Sequence, residues 1–224
     1  MLDRDKIVIW DWGGIVESHF QGENNWDMAK INIINYLTAE TKQLEAQTIL
    51  NKWEECKYGQ DGKCVSEVNS EEEIQNWFER LAEKFNLQCD YNKFCRVYRE
   101  EGEKIKYYRN VVEFAHSLKG KCKIGILSNL IKLDKERIDK QYDLSKFDFV
   151  WLSFELNCRK PDEKIYEIVE EQVKIPTKNI LFIDDKAKNI ETARKRGWKV
   201  CLATALEFEK IKICVNEFLE DRRE

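Results

Sequence analysis

"KIVIWDWGGIV", Lys6 to Val16, decides the fold. A short apolar run ends at Asp11, the one acid in the stretch, and the glycine pair Gly13 and Gly14 follows it. A strand that is almost continuously apolar is buried on both faces, as in a parallel sheet covered by helices. A carboxylate at the tip of such a strand loses hydration, so something must compensate it. Four later runs have the same character: KIGIL (Lys123 to Leu127), FDFVWL (Phe147 to Leu152), NILFI (Asn179 to Ile183) and KVCLA (Lys199 to Ala203). Helix-like segments such as "DEKIYEIVEEQV" and "AKNIETARKR" lie between the later runs. This alternation predicts an α/β fold with a doubly wound parallel sheet in three layers, α/β/α.

The stretch from about Glu17 to about Lys106 breaks the alternation. Its patterning predicts helices around Trp26 to Leu37, Glu40 to Cys56, Ser70 to Phe85 and Tyr91 to Glu103, with Ser70 and Glu73 as a capping box. The two glycines of "KYGQDGKCVS" punctuate it. A length of 224 residues suits one domain with a smaller one inserted. The division is therefore a core of residues 1–16 and 107–224, and an all-helical insert of residues 17–106.

Composition narrows the function classes. Charged residues make up 36% of the chain with both signs interspersed, and the net charge is −4, so no basic footprint for nucleic acid is present. The apolar runs are strand-sized, which argues against a membrane span, and MLDRDK has no apolar signal region. The expected location is the cytoplasm. The eight cysteines form no CxxC pair and are expected to be reduced, buried thiols.

In open parallel sheets ligands bind beyond the carboxyl ends of the strands. Asp11 ends the first run; Ser128 and Asn129 end the second; Asp184 and Asp185 end the fourth; Lys160, before Pro161, follows the third. Three carboxylates against one ammonium repel one another unless a cation joins them. Oxygen ligands completed by waters and a substrate phosphate describe magnesium, Mg2+. Ser128 and nearby amides suit phosphoryl oxygens, and Lys160 suits shared negative charge. Each feature alone has a plainer reading: a turn cap at Asp11, an N-cap pair at Asp184 and Asp185, a surface lysine at Lys160. The tryptophans Trp26, Trp53 and Trp77 read as core.

Together, "IWDWGG", "ILSN", "RKPDEKIY" and "ILFIDDKAKNIETARKRGW" resemble, in order and position, the four motifs of the haloacid dehalogenase superfamily. The likeness is greatest to its branch with a helical cap after the first motif. The resemblance implies Asp11 as the nucleophile that forms an aspartyl-phosphate, a covalent intermediate. It implies Mg2+ held by Asp11, the Gly13 carbonyl and Asp185, with Asp184 and Asn189 assisting. Ser128 and Asn129 would bind the phosphoryl group and Lys160 would orient it. The expected substrate is a small phosphorylated metabolite, such as a sugar phosphate.

Gly13 departs from the family pattern, in which an aspartate at that position transfers protons. A DxGG or DxGN variant with this change exists in the family. General acid–base help is worth about 10²–10⁴-fold, small beside the up to about 10²¹-fold acceleration seen for phosphate monoesters. Either the leaving group needs no acid, or another group such as Glu17 or His19 supplies it. The alternatives to a phosphohydrolase are a non-catalytic protein that binds a phosphorylated ligand or a protein partner, and a 2-haloacid dehalogenase. Arg80, Lys52, Arg96 and Arg99 are the candidate cap residues for substrate choice.

Overall fold

The computed structural model describes residues 5–18, 25–38 and 44–221. Five parallel strands form one sheet in the order β3-β2-β1-β4-β5. They are β1 (Ile7–Trp10), β2 (Lys123–Ser128), β3 (Phe149–Leu152), β4 (Ile180–Asp184) and β5 (Lys199–Leu202). β1 lies in the centre, pairing with both β2 and β4 in matched register, Trp10 opposite Ile126 and Ile183.

Alternation along β1 sorts its side chains between two cores. Val8 and Trp10 pack with Val111 and Ala115 of α5 (Arg109–Ser117) and with Ile211 and Val215 of α10 (Phe208–Glu220). Ile7 and Ile9 face the other layer, with Ile165 and Val169 of α8 (Glu163–Val173) and Ile190 of α9 (Ala187–Lys195). The three-layer doubly wound sheet expected from the sequence is thus present. Strand ends differ by a residue or two. Phe147 closes a turn ahead of β3, whereas Ser128 and Asp184 are the last residues of their strands.

Between β1 and α5 come α1 (Trp26–Leu37), α2 (Ala46–Cys56), α3 (Glu71–Phe85) and α4 (Tyr91–Glu103), and the short α7 (Ser153–Leu156) follows β3. Ser70 caps α3 by accepting from the Glu73 amide, and Asn86, at φ 50°, ends it. Its buried residues, Ile74, Trp77, Phe78, Leu81 and Phe85, fall at helical spacing. They join Trp53, Phe94 and Tyr98 in an aromatic cluster separate from the two cores that flank the sheet. Ile131 and Leu133 reach into that cluster from the start of α6 (Lys132–Gln141) and tie it to the sheet layer. No disulfide joins any of the eight cysteines, and six of them are buried. No helix among the described residues is long and apolar enough to cross a membrane.

Candidate active site

β1, β2 and β4 end side by side, so the polar residues at their tips meet. Asp11 is 4% exposed, and three donors converge on its Oδ1: the Trp12 amide at 2.7 Å, Ser128 Oγ at 2.8 Å and Lys160 Nζ at 2.9 Å. Lys160 is buried at 1% exposure. Its ammonium also contacts Asp184 Oδ2 and the Leu127 carbonyl, each at 2.7 Å. A lysine has three protons to donate, and here three acceptors take them. Burial alone would lower its pKa, but Asp11 and Asp184 hold it above the usual lysine value.

Asn129 fixes this lysine from behind. Its side chain accepts from the Lys160 amide at 2.9 Å and donates to the Lys160 carbonyl at 2.8 Å. Asn189 likewise holds Asp184, with Nδ2 at 3.0 and 2.9 Å from the two carboxylate oxygens, and the Lys186 amide adds a bond at 2.7 Å. Burial pushes the Asp184 pKa up, and Asp11 adds to it against the opposing pull of Lys160.

Asp185 is different. Its Oδ1 is buried with no hydrogen-bond partner among the described residues. Burial first, then the Asp11 charge, pushes its pKa up to about 7. Asp11, Asp184 and Asp185 each offer an oxygen within 4.8 Å of the others. A buried carboxylate oxygen with no donor, facing two more acids, matches a hard divalent cation by donor chemistry.

The glycine pair makes room for this acid. Gly14 sits at φ +81°, and a Cβ there would lie 2.5 Å from Asp185 Cγ and Oδ2. Its amide donates to the Glu17 carbonyl at 2.8 Å, and its carbonyl accepts from Ala205 at 2.9 Å, so the turn is pinned on both sides. Gly13 lies in the same turn, bridged to Glu17.

The haloacid dehalogenase-like hydrolase family matches residues 35–203, well over half of the chain. The chain belongs to this family. A haloacid dehalogenase family enzyme from Bacteroides thetaiotaomicron, solved with magnesium and inorganic phosphate, superposes with a TM-score of 0.66. It has 18% identity over 89% of this chain and 94% of that one. L-2-haloacid dehalogenase from Xanthobacter autotrophicus superposes with a TM-score of 0.61 and 17% identity, over 89% of this chain and 76% of that one. Among curated proteins, drimenol cyclase from Aspergillus calidoustus is 25% identical over 130 residues, 56% of this chain. The match spans only 24% of that relative's length.

Every core residue singled out from the motifs therefore lies in or beside one site. Other residues fall elsewhere. Glu17 is fully buried, with Arg137 Nη2 2.7 Å from its Oε1, off the direction of a hydrogen bond. That places it in a charge cluster with Arg137, Asp134 and Tyr98, where it serves the joint between α6 and the helices after β1. His19 lies outside the described residues. Of the four cap cations, Arg80 donates to the Cys56 carbonyl, Arg99 pairs with Glu136, Lys52 lies over the Phe85 ring and Arg96 is exposed. Arg159, Lys186 and Lys188 line the cavity beside Lys160 and Asn189; they neighbour motif residues and carried no separate signal of their own.

Proposed function

We propose that this protein is a magnesium-dependent phosphohydrolase of a small phosphorylated metabolite, acting through an aspartyl-phosphate at Asp11. The partnerless Oδ1 of Asp185 supports this reading most directly. A dehalogenase working on carbon without a metal would leave that oxygen, and the repulsion between Asp185 and Asp11, uncompensated. Asp11, Asp185 and the Gly13 carbonyl would hold Mg2+, with Asp184 and Asn189 in support. When bound, the ion would neutralise phosphoryl charge and draw Asp11 and phosphate together.

The remaining chemistry falls to the chain itself. Among the described contacts none goes to Asp11 Oδ2, so Oδ2 is the oxygen that attacks phosphorus while Oδ1 stays anchored. The bond from phosphorus to the leaving oxygen breaks, and water later cleaves the aspartyl-phosphate. Ser128 and Asn129 line the phosphoryl side, and Lys160 bridges nucleophile and Asp184. Residues 17–106 act as a helical cap over this site, in a branch of the family with the DxGG variant of the first motif. Gly13 cannot move a proton and Glu17 is tied to Arg137, so neither protonates the leaving oxygen, and the reading favours a leaving group that needs no acid. Rates are then expected to rise steeply as leaving-group pKa falls.

The test is phosphate release from acetyl phosphate, with and without Mg2+, for wild type and Asp11→Asn. Metal-dependent release that disappears in Asp11→Asn is the expected result. Halide release from 2-chloropropionate without metal would instead establish a dehalogenase. Inertness toward both, in folded protein that binds Mg2+, would make Gly13 the mark of a binding protein.

A further inference from the structure

Lys160 reaches the nucleophile from a stretch of chain that no strand supports. It lies in the loop between α7 and α8. Its ammonium nevertheless meets Asp11 Oδ1, Asp184 Oδ2 and the Leu127 carbonyl at 2.9, 2.7 and 2.7 Å. A lysine has a flexible four-carbon stem with about 2 kcal/mol of rotamer entropy, so a triple contact of this kind needs a fixed backbone beneath it. Strands fix theirs through the hydrogen-bond ladder. At Lys160 there is no ladder.

Asn129 takes the ladder's place. Its Oδ1 accepts from the Lys160 amide at 2.9 Å, and its Nδ2 donates to the Lys160 carbonyl at 2.8 Å. A carboxamide carries an acceptor and a donor side by side on one planar group, so it pairs with both backbone groups of a residue as a neighbouring strand would. An aspartate would offer the amide an acceptor but set a second oxygen against the carbonyl. A leucine of similar size would offer neither. Among the described contacts, no other group bonds to the Lys160 amide or carbonyl.

Two consecutive residues thus converge on one oxygen. Ser128 Oγ donates to Asp11 Oδ1 directly at 2.8 Å, and Asn129 holds the residue whose ammonium reaches that same oxygen. Both stand at the tip of β2, which pairs in register with β1 and so fixes their distance from Asp11. Resting on the phosphohydrolase reading, we infer that Asn129 is a positioning residue that acts through Lys160. It fixes where positive charge stands beside Asp11, and so keeps Oδ1 anchored while Oδ2 attacks. This role departs from the phosphoryl ligand that the motif implies at Asn129.

The test is a double-mutant cycle of Asn129→Ala and Lys160→Met, read in acetyl phosphate turnover and in calorimetric titration of inorganic phosphate into the magnesium-loaded proteins. A misplacement of about 1 Å can cost about 100-fold in rate, so Asn129→Ala alone should lower kcat by roughly 10- to 100-fold with KM little changed. Added to Lys160→Met it should change neither turnover nor phosphate affinity further, because the group it positioned is gone. A further loss of phosphate affinity in the double variant would make Asn129 a phosphoryl ligand and overturn the inference. Nitrogen-15 NMR supplies a reading that needs no turnover. The Lys160 ammonium, with all three protons bonded, should give a slowly exchanging resonance that is absent from Lys160→Met. In Asn129→Ala, shown folded by its melt, that resonance should shift or vanish, and an unmoved resonance would overturn the inference. A displaced resonance in a protein without turnover would support the positioning of Lys160 and count against the hydrolase reading alone.

Discussion

Gly14→Ala is a direct probe of how the glycine pair builds the proposed metal site. At φ +81° an alanine is in the left-handed region, which costs roughly 1–2 kcal/mol. Its Cβ would also stand 2.5 Å from Asp185 Cγ and Oδ2, far inside contact distance. The turn cannot retreat cheaply, since both its amide and its carbonyl are hydrogen-bonded, at 2.8 and 2.9 Å. Asp185 must therefore swing away from Asp11 and Asp184. Gly197→Ala supplies the comparison: its φ is +84°, but the nearest atom to its Cβ is Thr177 Oγ1 at 3.1 Å, away from the site. Both variants should lose stability from backbone strain, with Tm falling by about 2–4 °C per kcal/mol in a chain of this size. Only Gly14→Ala should lose magnesium. Changing groups that merely orient ligands costs about 10–100-fold in metal affinity, so displacing Asp185 itself should cost at least that much. Calorimetric titration of Mg2+ into the three proteins decides. Wild-type magnesium affinity in Gly14→Ala would show that Gly14 answers only to the turn, and the account of the glycine pair would be wrong.

The buried joint beneath the site gives two further predictions. Arg137→Met leaves Glu17 in the interior without its counter-charge and should cost about 3–5 kcal/mol in a urea titration. Adding Glu17→Leu to that variant should recover most of the loss, and strictly additive costs would argue against a coupled pair. Glu17 also predicts a pH dependence. Burial, opposed by Arg137 and reinforced by Asp134, raises its pKa from 4.5 to about 7. Between those values the folded protein holds a proton that the unfolded chain has lost, so this stabilisation is present below about pH 4.5 and is lost as pH rises to about 7. The stability difference between Glu17→Gln and wild type should then move in the variant's favour across that window and stay flat outside it. Thermal melts in steps of half a pH unit would show it, and a flat difference throughout would place the Glu17 pKa near its ordinary value.

What the sequence revealed and what it concealed follow from the range of the interactions involved. Asp11, Lys160 and the acidic pair were legible because strand tips are local features, and a carboxylate after an apolar run is visible within a few residues. The helix α3 was legible for the same reason, through Ser70, Glu73 and its apolar spacing. The buried joint was not. Glu17, Arg137, Asp134 and Tyr98 come from three separated stretches, and each alone reads as a solvated charge or an ordinary aromatic. Gly102 shows how deep the omission runs: it makes room on α4 for Arg137, whose Cδ would lie 2.5 Å from a Cβ there. Nothing near Gly102 in the sequence indicates that need.

The cations of the helical insert show a related limit. Arg80, Lys52, Arg96 and Arg99 are conspicuous in the helical insert, yet a cation on a helix finds a carbonyl, an acid or water close by. Beside the motif residues the backbone itself is held: Asn129 grips both backbone groups of Lys160, next to Arg159, and Asp184 Oδ1 accepts from the Lys186 amide at 2.7 Å. Placement by a rigid neighbour, not abundance of charge, determines which cations reach a ligand. The same logic bears on Gly13. A glycine there puts no proton donor in the turn, and the structure commits Glu17 to Arg137 rather than to that role. A site in which neither Gly13 nor Glu17 can protonate the leaving oxygen depends on what the ligand brings, and favours a leaving group that is already a weak base.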